Sequence, residues 1–456
     1  MRILKRKITT YLEQHLGSDS DKILLIEGAR QVGKSFAIRE VGQRLFSNYV
    51  EINFVTDSEG ARLFEDVHTV DAFYLRLSSV AGDKLGQYEN TLIFIDEIQC
   101  YPQYFTLLKF LREQHKYHFI ASGSALGIAL RRTTSIPVGS VILKQMYPLD
   151  FEEFLWANNY GIEAIEDVYN HYVNNQSLEE KEHEYLLDLF RRYLLVGGLP
   201  DVVNEYLSNH NIVSVRNLQN AITTMYETDA SQYENSASRK LMIRRIYSMV
   251  VSLMENKKKR IVVQDIQDKK GDRFVRYADE FEYLLSSAIT LGVNAIANPR
   301  FPLAESLHKN LLKLYLNDVG LLTAKLFATN IKPILQNERS INIGAVYESV
   351  VAQELVAHGY PLFYYDNRQK GEVDFIVDDY EHSSVLPIEV KSGRDYTIHS
   401  ALTNMVNNAD YGVKKAIVLS NERTVEINNN IIYMPIYYIM FVNRSMDEHQ
   451  SSILIF

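Results

Sequence analysis

The sequence is poor in the features that mark several large protein classes. It has one cysteine, Cys100, in 456 residues. An intrachain disulfide and a metal site built from several cysteines are therefore excluded. No stretch approaches the ~18 uninterrupted apolar residues of a membrane-spanning helix. Residues 1–7 are basic but 8–20 are polar and mixed, so no secretory signal is expected. These absences predict a cytoplasmic protein with no membrane partner. Internal repeats and low-complexity segments are also missing. Positive charge is not in excess: the formal net charge is −9. That disfavours a chain coated in nucleic acid, although a global average leaves room for a local basic face.

What is present is an ordinary globular composition, 46% apolar and 23% charged. The length suits about three domains at roughly 150 residues each. Residues 22–146 alternate short apolar runs with helical stretches. The expected strands are 22–27, 49–54, 91–96, 118–122 and 140–146, with helices such as 34–45 and 105–114 between them. Near-continuous apolar strands suit a parallel sheet covered on both faces, hence a doubly wound α/β domain over 1–147. From 148 to 236 the strand signal disappears and helical periodicity takes over at 149–158, 179–195 and 200–207. Residues 237–300 read as three helices and a short β element. From 301 a mixed α/β unit is expected, with a helix at 343–358 and strands at 362–365, 372–377, 385–390 and 415–419.

Gly28-Ala29-Arg30-Gln31-Val32-Gly33-Lys34-Ser35 matches GxxxxGK[ST], after an apolar strand and at the start of a helix. That context is what a phosphate-cradling loop requires. Two glycines let the backbone amides turn toward phosphate oxygens, and the helix N-terminus adds partial positive charge there. Lys34 is expected on the β- and γ-phosphates of ATP and Ser35 on Mg²⁺, with Phe36 closing the binding segment. The run 91–96 is apolar and ends in Asp96-Glu97. Asp96 is expected to hold Mg²⁺ and Glu97 to act as base for the attacking water. After the next strand, Ser122-Gly123-Ser124 either senses the γ-phosphate through a polar side chain or is a plain turn.

With these residues the chain resembles a family of bacterial and archaeal AAA-type ATPases. Their C-terminal half is a domain of unknown function related to PD-(D/E)xK nucleases. The resemblance also rests on Tyr147-Pro-Leu-Asp-Phe-Glu-Glu-Phe154, Gly197-Gly-Leu-Pro200, Lys313-Leu-Tyr-Leu-Asn-Asp318-Val-Gly-Leu-Leu322 and Gly344-Ala-Val-Tyr-Glu348. It implies an ATPase core at 1–147, a helical lid at 148–236, a winged helix at 237–300 and a nuclease-like domain at 301–456. It also implies that Pro200 lies near the adenine and that homo-oligomers form. Where the family often has Gly-Arg, this chain has Gly139-Ser140, so either Arg131 or Arg132 supplies an arginine finger, or hydrolysis is slow and both are plain surface charges.

Toward the C-terminus, Gly371-Glu-Val-Asp374 is followed by Pro387-Ile-Glu389-Val-Lys391. Glu389 and Lys391 are two apart on one β-run and so share a face. Asp374 and Glu389, with Glu348 from the preceding helix, are candidate ligands for a divalent cation through oxygen. Lys391 is a candidate to position or deprotonate water, the chemistry that metal-dependent phosphodiester cleavage needs. Val373 stands where nucleases of this type usually have proline. A basic stretch over 239–276 includes Arg239, Lys240, Arg244, Arg245, Lys257, Lys258, Lys259, Arg260, Lys269, Lys270, Arg273 and Arg276. It is a candidate DNA contact, or equally a solvated loop. Two functions follow: an ATP-dependent enzyme that processes DNA, or a nucleotide-controlled switch whose C-terminal domain only binds.

Overall fold

A computed structural model describes residues 2–124, 126–127, 139–229, 234, 236–255, 260–261, 263–267, 273–328, 330–336, 343–393 and 395–442. Arg131, Arg132, Lys257, Lys258, Lys259, Lys269 and Lys270 lie outside them. The chain divides into two compact units. One is Ile3–Pro148 with Ser286–Ala288; the other is Met1–Arg2, Leu149–Leu285 and Ile289–Phe456.

The first unit is built on five strands, β1 (Ile23–Glu27), β2 (Asn48–Asn53), β3 (Thr91–Asp96), β4 (His118–Gly123) and β5 (Val141–Gln145). Their order is β2-β3-β4-β1-β5 and every pairing is parallel. β1 and β3 are buried at every position, which is why their sequences do not alternate. One core face carries an aromatic group of Phe54, Phe64, Phe73, Tyr101 and Tyr104 beneath the helices that connect the strands. The order matters for function. β1, β3 and β4 lie side by side, so their C-terminal ends meet at one place.

The second unit begins with helices only: Phe151–Ala157, Ile162–Val173, Glu180–Val196, Pro200–Asn209 and Ile212–Asp229, then Ala237–Glu255. Phe151–Ala157 starts with a capping box, Asp150 and Glu153 each accepting from the other's backbone N–H. The sheet that follows has eight strands in the order β12-β13-β11-β10-β9-β8-β6-β7. These are β6 (Thr290–Ile296), β7 (Leu307–Leu316), β8 (Leu362–Asn367), β9 (Gly371–Asp379), β10 (Ser384–Val390), β11 (Ala416–Ser420), β12 (Glu426–Asn428) and β13 (Ile431–Pro435). The short β element expected before residue 300 is β6, and it pairs with β7 and β8. The division expected at 300 and 301 therefore falls between two strands of a single sheet.

Candidate functional site

β1 ends in Glu27 and the loop that follows turns into the helix Lys34–Leu45. Gly33 caps that helix with φ 95°, a left-handed conformation that glycine adopts without penalty. Gly28 is required for another reason. A Cβ there would stand 2.2 Å from the Met146 carbonyl oxygen beyond β5, so only a bare backbone passes. From beneath, the buried Arg6 donates Nη1 to Val32 O at 2.9 Å and Nη2 to Tyr147 O at 2.7 Å. The loop is thus tied to the chain beyond β5 by a guanidinium that the motif itself does not mention.

Lys34 is 5% exposed, and its Nζ donates to Gly28 O at 2.9 Å and Ala29 O at 2.8 Å. Burial pulls its ammonium down to about 8, against the opposing pull of the Glu97 and Asp96 carboxylates. Ser35 Oγ donates to Asp96 Oδ2 at 2.9 Å, bringing the end of β3 to the start of the helix. Asn53 Nδ2 donates to the same oxygen at 3.0 Å, while its Oδ1 accepts from Thr56 N. Ser122 Oγ donates to Asp96 Oδ1, which also accepts from Glu97 N at 3.1 Å. Asp96 is therefore held from β4, from β2 and from the helix. The structure brings Ser35, Asp96 and Ser122 together by hydrogen bonds, with Lys34 near the Asp96 and Glu97 carboxylates. Phe36 is 41% exposed. Sequence reasoning missed Arg6, Asn53, Gln99 and Glu27. Burial pushes the Glu27 carboxyl up, and its Oε1 accepts from Gly127 N at 3.1 Å. Ser140 is buried and accepts from Arg112 Nη1 at 3.2 Å.

These residues fit a magnesium-bound nucleoside triphosphate. The space at Gly28 admits no side chain, a buried ammonium lies against the loop, and a hydroxyl and a carboxylate share one hydrogen bond at a helix N-terminus. Ser35 and Asp96 would hold the ion and Lys34 the phosphates.

In the second unit Pro200 opens the helix Pro200–Asn209, and the turn before it is locked by Asp318. Asp318 Oδ2 accepts from Gly198 N at 2.6 Å and its Oδ1 from Leu321 N at 3.1 Å. At the sheet, Asp374 on β9 lies beside β10, and its Oδ2 accepts from Val390 N at 2.9 Å. Glu389 Oε1 accepts from Lys391 Nζ at 2.8 Å, while Oε2 is buried with no partner. Burial pushes the Glu389 carboxyl up. Burial also works against the Lys391 ammonium, yet the Glu389 carboxylate holds it above the usual lysine value. Glu348 Oε2 accepts from Tyr315 OH at 3.2 Å. Lys313 on β7, fully buried, donates to Glu372 Oε1. Among the described residues no three or more His, Cys, Asp or Glu side chains form a group able to hold a metal ion. Glu389, Asp374 and Glu348 all favour the charged Lys391 ammonium, so the three expected carboxylates lie around one lysine.

The basic stretch is partly neutralised. Arg239 faces Asp279 at 2.9 Å, Glu280 at 3.3 Å and Glu234 at 3.7 Å, and Arg260 pairs with Asp366 at 3.1 Å. Among the described residues no helix is long and apolar enough to cross a membrane.

Residues 20–155 match the family model of an AAA domain. Residues 187–332 and 343–439 match the models of two domains of unknown function, DUF8612 and DUF4143. No curated protein matches the sequence. Among solved structures, the chain is similar to the Walker-type ATPase PABY2304 of Pyrococcus abyssi: 14% identity over 70% of this chain and 95% of that one, TM-score 0.41. It is also similar to the Aeropyrum pernix Orc1 protein in complex with DNA: 12% identity over 72% and 92%, TM-score 0.31. A third is the Thermotoga maritima RuvB Holliday junction branch migration motor: 11% identity over 66% and 90%, TM-score 0.28. A parallel five-stranded sheet, a phosphate loop leading into a helix and an acidic pair at the end of β3 agree with the family match. The N-terminal part of this chain is an AAA-type P-loop ATPase domain.

Proposed function

We propose that this chain hydrolyses Mg²⁺·ATP and uses the nucleotide cycle to control its C-terminal half. The observation that carries the reading is the meeting of Lys34, Ser35, Asp96 and Glu97 at the adjoining ends of β1, β3 and β4. In the bound state Lys34 would leave the loop carbonyls for phosphate oxygens, and backbone amides of the loop would orient the chain of phosphates. Ser35 and Asp96 would hold Mg²⁺, which supplies charge neutralisation for phosphoryl transfer. Glu97 would accept the proton of the attacking water. We carry Pro200 as an adenine-side contact and assembly into homo-oligomers as parts of the same reading. The experiment is ATP binding and turnover by wild type and Lys34→Ala. Turnover in Lys34→Ala equal to wild type would reject it.

For the C-terminal half, the switch reading is favoured by Lys391, whose ammonium is engaged with Glu389. The DNA-processing reading keeps one specific observation: Glu389 Oε2, buried and without a partner, on the strand beside Asp374. A buried carboxylate oxygen left unpaired invites a cation or a donor. In that reading the winged helix and the basic stretch over 239–276 would hold DNA while Asp374, Glu389 and Lys391 cut it. Metal-dependent cleavage that disappears in Lys391→Ala and Asp374→Ala would establish it, and cleavage of no substrate would leave the switch.

A further inference from the structure

The segment after β3 carries a side chain that the phosphate-loop chemistry does not account for. Gln99 sits in the single 3₁₀ turn Ile98–Cys100 and is 5% exposed. Its Nε2 donates to Glu97 Oε2 and, at 3.3 Å, to Ser124 Oγ. Ser124 Oγ in turn lies 3.5 Å from Glu97 Oε2, at the limit of a hydrogen bond. Both holds fall on the same carboxylate oxygen. Glu97 itself has φ 55°, a left-handed conformation that costs a non-glycine residue on the order of 1–3 kcal/mol and persists only where its surroundings enforce it.

Gly123 completes the arrangement. A Cβ built there would stand 2.2 Å from Gln99 Oε1 and 2.4 Å from Leu126 Cδ2, so the bare backbone makes room for both side chains. The Ser122-Gly123-Ser124 segment thus divides its work. Ser122 holds Asp96, Gly123 leaves room for the Gln99 amide, and Ser124 shares that amide with Glu97. A buried amide needs partners wherever it lies. Here its partner is the one carboxylate expected to meet water, held from a turn only two residues away.

We propose that Gln99 is the positioning residue for the Glu97 carboxylate, with Ser124 as its second hold and Gly123 as the space that admits it. The proposal rests on the hydrolysis reading above. A base must meet its water within hydrogen-bond reach and at a fixed angle, so freeing the carboxylate costs rate without costing affinity.

The test is steady-state ATP turnover by the full chain with Mg²⁺, beside the dissociation constant for ATP from titration calorimetry. Gln99→Ala is expected to lower kcat by about 10- to 100-fold while KM and Kd stay within about threefold. Gly123→Ala keeps every donor but crowds the amide, and is expected to lower kcat in the same way. In a Glu97→Gln background, Gln99→Ala is expected to add less than about threefold, since both changes remove one function. A kcat within about twofold of wild type in both single variants overturns the proposal, and so does a rise in Kd that matches the fall in kcat. A wild-type chain that binds ATP and never turns it over rejects the hydrolysis reading instead.

Discussion

The Lys34 ammonium lies almost wholly out of water, against two loop carbonyls and near the carboxylates of Glu97 and Asp96. Its value near 8 places its titration inside an accessible window. A phosphate beside it favours the charged form, so the bound value rises above the free one. Proton uptake must then accompany ATP binding above about pH 8, and affinity must fall as pH rises from about 7 to 9. Calorimetry in buffers of different ionisation enthalpy should record that uptake in wild type, and Lys34→Met should abolish it together with most of the binding. The residues proposed to hold phosphate and ion were legible in the sequence because they are contiguous or end an apolar strand. Asn53 and Arg6 were not. Asn53 reaches Asp96 only because β2 pairs with β3 in register, and Arg6 reaches Val32 only through the fold.

Among elements, one joint of the second unit lies between two turns. Asp318 is fully buried, caps the helix Val319–Leu326 and accepts from Gly198 N at 2.6 Å. Burial pushes its carboxyl up to about 6, against the backbone donors around it. A folded value above the unfolded one means that the protonated form favours the fold. This contribution is complete below the unfolded value of 3.8 and is lost as pH rises through about 6. Asp318→Asn should therefore flatten the decline in thermal midpoint between about pH 4 and 6.5. It should also lower stability at neutral pH by about 1–3 kcal/mol, because an amide nitrogen accepts no hydrogen bond and leaves either Gly198 N or Leu321 N without its partner. Thermal melts across that range check both. Strands β8 to β11 were readable from their apolar runs, whereas β7 was not. It places Lys313 within the strand, where the carboxylates of Glu348, Glu372 and Asp374 favour the charged form of this buried lysine, Glu372, 59 residues away, by accepting from it directly. The short exposed β12 carries no pattern to read.

At the scale of the molecule, one unit joins Ser35, Asp96 and Ser122 by hydrogen bonds beside Lys34. The other sets Glu348, Asp374 and Glu389 around Lys391. Asp374 and Glu389 share neighbouring strands, Lys391 donates to Glu389, and Glu348 accepts from Tyr315. The ATPase half was legible because its chemistry is written in one motif and one strand end. The C-terminal half was legible only as residue types, since whether three carboxylates converge depends on the sheet's register. Incubation of wild type with linear, branched and single-stranded nucleic acid and Mn²⁺ should give no cleavage if the switch reading holds, with ATP turnover intact.

The most direct test of the account is the rate of ATP hydrolysis by the full chain with Mg²⁺, compared between wild type and Glu97→Gln. The account expects turnover in wild type. In Glu97→Gln it expects a loss of at least about 100-fold with ATP affinity within about threefold, as befits a group used mainly in the transition state. Equal turnover in the two proteins would contradict it.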